Sequence, residues 1–166
     1  MRSLPIAIPL LALAAMLQAA VLTHVRFLGG GFDLVLVLVL AWNLVRRNID
    51  GPLWALIGGL LADTLSGGPF GASTLGLTLL SLTISLTEGR FYQANMLVAL
   101  LASLIGTIFY HLIYLSVLAL AGRAVNLADA LTLVTLPSTI LNFLLMLPVY
   151  QAAKWLSWQI APPPVK

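Results

Sequence analysis

Six long apolar stretches, broken only by short segments rich in glycine, proline or charge, constrain this chain more than any other feature. Only eight basic and five acidic side chains are spread over 166 residues. Charged residues are 8% of the total against about 25% in soluble domains. So few charges cannot cover a folded surface in water, and the mean hydropathy of +1.07 points the same way. Lipid is therefore the expected solvent, in which only helices and closed barrels satisfy their backbone.

Leu4–Val25 forms the first apolar segment. With Arg2 ahead of it and Gln18-Ala19-Ala20 inside it, the segment imitates a secretory signal. Its length suits a span better, and it is read as retained. Gly29-Gly30-Gly31 breaks the chain, and Asp33 is expected to cap Leu34–Val45, an alternating Leu/Val run. Alternation suggests a strand, but an open strand edge is excluded in lipid, so a helix is expected. Arg46–Pro52 is a polar turn, with Pro52 opening a third helix that ends at Leu65. Ser66-Gly67-Gly68-Pro69-Phe70-Gly71 is a tight break before a fourth helix over Ala72–Thr87. Glu88-Gly89-Arg90 separates this from Ala94–Ala121. After Gly122–Asp129 a sixth helix, Leu131–Trp158, contains Pro137 and Pro148 and is expected to kink. The expectation is an all-α integral membrane protein forming one transmembrane domain over residues 1–166. Its spans fall at 4–25, 34–45, 52–65, 72–87, 94–121 and 131–158.

Six spans put both termini on one side. A cytoplasmic placement puts Arg2, Arg46, Arg47, Arg90, Lys154 and Lys166 inside and leaves Arg26 and Arg123 outside, the bias that bacterial membranes impose. The basic residues are scattered singly, so the pI of 9.7 reflects topology and not nucleic-acid binding. Trp42, Trp155 and Trp158 sit near expected helix ends, as interfacial anchors or as lipid-facing bulk.

Asp63 is the one acid inside an apolar segment. Two roles remain open for it: a latch that bonds the amides freed by the Ser66–Gly71 turn, or a contact for a partner or a transported species. Small residues recur at helical spacing as Ala55, Gly58, Gly59, Ala62 and Ser66 in the third segment. Gly71, Thr74, Thr78, Ser81 and Ser85 do so in the fourth, and Asn95, Ala99, Ala102, Ser103, Gly106 and Tyr110 in the fifth. Such faces let helices approach closely, first of all within the bundle itself. His111, beside Tyr110 and Tyr114, reads as an internal hydrogen-bonding group. His24 and Arg26 fall at the outer interface, and Asn142 is expected to bond backbone groups freed by Pro137 and Pro148. Without cysteine there is no thiolate chemistry, and two distant histidines give no metal-binding spacing. No nucleophile–base pattern or phosphate-cradling loop is legible, so no enzyme activity, cofactor or metal is expected.

Gly59-Leu60-Leu61-Ala62-Asp63-Thr64-Leu65-Ser66-Gly67-Gly68-Pro69-Phe70-Gly71, followed by Leu75, resembles the signature stretch of the bacterial rod shape-determining protein MreD family. Asp33 opening a Leu/Val run that ends in Ala41-Trp42 is similar to that family's second helix, although Phe32 stands where the family usually has proline. The resemblance implies a non-enzymatic scaffold of the cell-elongation machinery in the bacterial inner membrane. Such a scaffold binds the transmembrane helix of MreC and, with RodA and PBP2, helps couple MreB filaments to peptidoglycan synthesis. It also implies that Gly59, Asp63, Ser66, Gly67, Gly71 and Asp33 serve structure or partner contact and not catalysis. Small-residue faces left over from internal packing are the expected seat for the MreC helix.

The rival reading is the substrate-binding S-component of an ECF-type vitamin transporter, whose six-helix bundle the MreD fold is expected to resemble. Ala15 and Ala19 satisfy the Ala-x-x-x-Ala pattern of those proteins' first helix. A vitamin pocket would want several polar and aromatic groups converging from outer loops, which here are short and poor in them, with Arg26, Asp33, Arg123, Asn126 and Asp129 the groups present.

Overall fold

A computed structural model describes residues 4–22, 24, 29–46, 50–86, 95–123 and 126–160. Arg2, Arg26, Arg47, Glu88, Gly89, Arg90 and Lys166, used above for topology and breaks, lie outside the described residues. The described residues are helical apart from short connections, and no strand occurs among them. The helices are α1 (Leu4–Leu22), α2 (Leu34–Val45), α3 (Asp50–Ser66), α4 (Ala72–Leu86), α5 (Met96–Leu120) and α6 (Leu127–Ile160). Three of them, α1, α5 and α6, are long and apolar enough to cross a membrane, while α2 and α4 are shorter apolar helices.

The Leu/Val run of α2 is a helix buried on every side, from Val35 through Leu44. A helix that is apolar all round belongs inside a protein or a membrane. Here it is the axis of the bundle: α1, α3, α4, α5 and α6 follow one another around it, and each touches it. Successive helices run antiparallel. One end of the bundle therefore gathers the starts of α2, α4 and α6 with the ends of α1, α3 and α5. The opposite end carries Arg46, which donates to Ser157 Oγ at 3.2 Å, and Asn43, which accepts from Ser81 Oγ at 2.7 Å.

Small residues fix how closely the helices approach. A Cβ on Gly59 would run into the Thr74 backbone, so α3 and α4 pack main chain against main chain, the most extensive contact in the molecule. Gly106 of α5 receives Leu40, and Gly76 of α4 receives the Tyr110 ring. The small faces of α3 and α5 are thus largely used up internally: Ala55, Gly58, Ala99, Ser103 and Gly106 are buried. Outward surfaces carry large aliphatic side chains such as Leu101, Ile105, Leu136, Ile140 and Leu144.

Three sequence expectations change. Trp42 is no interfacial anchor; it is fully buried and stacks on Trp54 with ring centroids 4.1 Å apart, because α2 has no lipid-facing side. Trp155 and Trp158 remain exposed. The sixth helix begins at Leu127, where Asn126 accepts a hydrogen bond from the Ala128 amide. It then passes through a widened π segment, Ala130–Thr135, immediately before Pro137. Proline has no N–H and crowds the preceding turn, and a wide turn relieves both. Asn142 does not serve the prolines, as the next section shows.

Candidate functional site

The polar side chains that the sequence singled out converge at the end of the bundle away from the chain termini, in two clusters. The first joins α3 to α4. Asp63 lies in the last turn of α3 and is 4% exposed. Its Oδ1 accepts from the Ser73 amide at 2.8 Å. Its Oδ2 accepts from the Gly71 amide at 2.9 Å, the Thr74 amide at 3.0 Å and the Thr74 hydroxyl at 2.6 Å. The first amides of a helix have no partner within it and carry partial positive charge. In α4 that need is met from the neighbouring helix, while Ala72 N donates to Pro69 O and Leu75 N to Gly71 O.

The turn between them is shaped for this purpose. Gly67 ends α3 at φ +64° and Gly71 enters α4 at φ +96°, both in the left-handed region that glycine adopts without strain. Ser66 Oγ accepts from the Gly68 amide at 3.3 Å. Gly59, Asp63, Ser66, Gly67 and Gly71 therefore form one hairpin, in which the glycines let the backbones meet and the carboxylate ties them.

The second cluster surrounds Asp33. Asp33 stands where a helix cap is expected, but its side chain makes no capping bond. The α2 cap comes from α1, where Gln18 Oε1 accepts from the Val35 amide at 3.0 Å. Asp33 reaches across the bundle instead: Oδ2 meets His111 Nε2 at 3.1 Å and accepts from Asn142 Nδ2 at 3.3 Å. His111 Nδ1 lies 3.1 Å from Thr135 Oγ1. Thr135 Oγ1 itself donates to the Ala130 carbonyl oxygen at 3.2 Å, so the chain of contacts from Asp33 through His111 continues into the π segment of α6.

Asn142 is occupied here and not with Pro137 or Pro148. Its Oδ1 accepts from the Asp33 amide at 2.8 Å, and its Nδ2 also donates to Thr107 Oγ1 at 3.3 Å. The Gly31 amide donates to Ser138 Oγ at 3.0 Å, Gly30 sits against Pro137 and Ser138, and Gly29 against the Leu133 carbonyl. Residues 29–33 thus run as an extended strap along α6. Four extended residues advance about 13 Å, and the nine helical residues from Leu133 to Asn142 advance about the same. The strap leads into a helix of only twelve residues, about 18 Å long. Its backbone amides have no helical partner, and Ser138 and Asn142 supply acceptors for Gly31 and Asp33.

Asp33 and Asp63 are thus in separate clusters, with a cavity of about 440 Å³ between them that Ser66 and Ser73 also line. His111 is the internal hydrogen-bonding group that its sequence position suggests, but its partner Asp33 and the roles of Asn142, Gln18 and Thr135 escaped the sequence reading. Their partners lie 15 to 109 positions apart, and only the mid-segment placement of His111 and Asn142 hinted at them. No group of three or more metal-ligating side chains occurs among the described residues.

Comparison with curated proteins and with solved structures gave no match. The family model for the rod shape-determining protein MreD matches residues 2–155, which contain both clusters, the strap and nearly all of α6. The chain belongs to the rod shape-determining protein MreD family.

Proposed function

We propose that this chain is a non-enzymatic scaffold of the bacterial inner membrane. It spans the bilayer six times, with both termini cytoplasmic, and acts in rod-shape determination by binding MreC. Through MreC it helps couple MreB filaments to the peptidoglycan polymerase pair RodA and PBP2. The family match over residues 2–155 carries this reading. The helix order agrees with it: the end of the bundle bearing Arg46 and Lys154 is the one the termini approach, and Arg123 falls at the other. Because the small faces of α3 and α5 are consumed within the bundle, the MreC helix would pack against the outward aliphatic surfaces and not a left-over small-residue groove.

The test is affinity purification from native membranes in mild detergent, followed by mass spectrometry. Recovery of a bitopic periplasmic protein together with the polymerase pair is the expected result. Recovery of an ATPase pair with a long-helix coupling subunit would replace the scaffold reading with the vitamin-transporter one. Cysteine labelling at Ala121 and Gln159 from either side of sealed vesicles checks the topology, with Ala121 reacting from outside and Gln159 from inside.

A further inference from the structure

All six helices line the 440 Å³ cavity, which lies at the end of the bundle away from the termini. That volume falls in the range of small-molecule sites, and its lining mixes a mostly apolar wall with a few convergent polar groups. Ala15, Ala62, Leu65 and Val134 supply apolar wall. Asp33 supplies the one carboxylate, and no lysine or arginine is among the described residues that line it. Asp33 Oδ2 is engaged by His111 Nε2 at 3.1 Å and by Asn142 Nδ2 at 3.3 Å. One oxygen of that carboxylate, Oδ1, has only a 3.4 Å bond from Gln18 Nε2 among the described residues. Tyr110 and Tyr114 line the same cavity, their ring centroids 6.1 Å apart and tilted by 39°. Aromatic faces attract cations, and a carboxylate in an apolar surround does so strongly.

We propose that this cavity binds a small molecule that carries one ammonium group on an apolar or aromatic body. Asp33 takes the ammonium, the Tyr110 and Tyr114 rings flank it, and the Ala15–Ala62–Leu65–Val134 wall holds the body. Anionic ligands are disfavoured, because no lysine or arginine stands beside the carboxylate among the described residues of the lining. The ammonium has two possible sources, a lipid headgroup or a free amine. The site is independent of the scaffold role, since the MreC helix would meet the outside of the bundle.

The test uses the full chain in a non-ionic detergent and three probes that share one body: 2-phenylethylamine, 2-phenylethanol and 3-phenylpropionate. Calorimetric titration is expected to show saturable binding of the amine, with the alcohol and the carboxylate weaker by about tenfold or more. Asp33→Asn is expected to weaken the amine by a similar factor. Ala62→Phe, which fills the cavity from α3 without touching the charge, is expected to abolish saturable binding. Equal binding of the three probes, an amine affinity unchanged in Asp33→Asn, or no saturable amine binding to the wild-type chain overturns the proposal. If Asp33→Asn does not fold, the probe series and Ala62→Phe decide. Native mass spectrometry separates the sources: retained phosphatidylethanolamine that 2-phenylethylamine displaces assigns the lipid, and amine binding with no retained lipid assigns the free molecule.

Discussion

Replacing Asp63 with alanine removes the acceptor of three α4 amides and one hydroxyl in a single change. A hydrogen bond to an ionised group is worth roughly 1.5–3 kcal/mol, so a simple sum over four would exceed the stability of many domains. The sum overcounts, because the four bonds share two oxygens and water reaches part of the Gly71 and Thr74 backbone once the carboxylate is gone. A single helix cap costs about 0.5–2 kcal/mol when removed, which sets the lower bound. Between these, a loss of about 3 kcal/mol is expected for Asp63→Ala. Asp63→Asn should lose nearly as much, since one oxygen becomes an NH2 facing the Gly71 and Thr74 amides, donor against donor. Reversible unfolding of the full chain in mixed micelles measures the loss, and hydrogen exchange at the Ser73 and Thr74 amides locates it. A loss under about 1 kcal/mol with unchanged exchange at those two amides would refute the argument that Asp63 holds the hairpin.

Three further outcomes follow from the packing. Gly59→Ala should destabilise by about 1–3 kcal/mol despite alanine's better helix propensity, because its Cβ meets the Thr74 backbone. Gly58→Ala should cost less, since its Cβ would meet only side-chain ends of Val35, Leu11 and Val39 at 3.1–3.3 Å; the same unfolding assay ranks the two. Asn142→Leu should cost about 1–3 kcal/mol by leaving the Asp33 amide and Thr107 without their partner, and thermal denaturation should show the cost undiminished when Pro148 is replaced by alanine. His111→Phe and Asn142→Leu both act through Asp33, so a double-mutant cycle should give a coupling of about 0.5–2 kcal/mol; strict additivity would contradict a shared network.

Helix existence was legible because lipid leaves the backbone little choice. The Leu/Val alternation of α2, which argues for a strand in water, yields a helix once water is absent. The α3–α4 hairpin was legible as well: its acid, glycines and serine lie within thirteen positions, and local geometry alone brings them together. The Asp33 cluster was not. Its members come from α1, α2, α5 and α6, and nothing in one sequence pairs Asp33 with His111, 78 positions on, or with Asn142, 109 positions on. Hence a carboxylate at a helix start was read as a cap, and an asparagine between two prolines as their repair. The burial of Trp42 was hidden for a related reason, since a tryptophan near a helix end reads the same whether that helix faces lipid or lies at the centre.

The central position of α2 also governs how the chain can be made. It emerges second from the ribosome, yet the groups that satisfy its entry strap, Ser138 and Asn142, are translated more than a hundred residues later. Until then the Gly31 and Asp33 amides, and the Asp33 oxygen that Asn142 bonds, lack those partners. Such long-range closure is slow to fold. A nascent chain that stalls before α6 leaves the Gly31 and Asp33 amides without the side chains that bond them in the finished bundle.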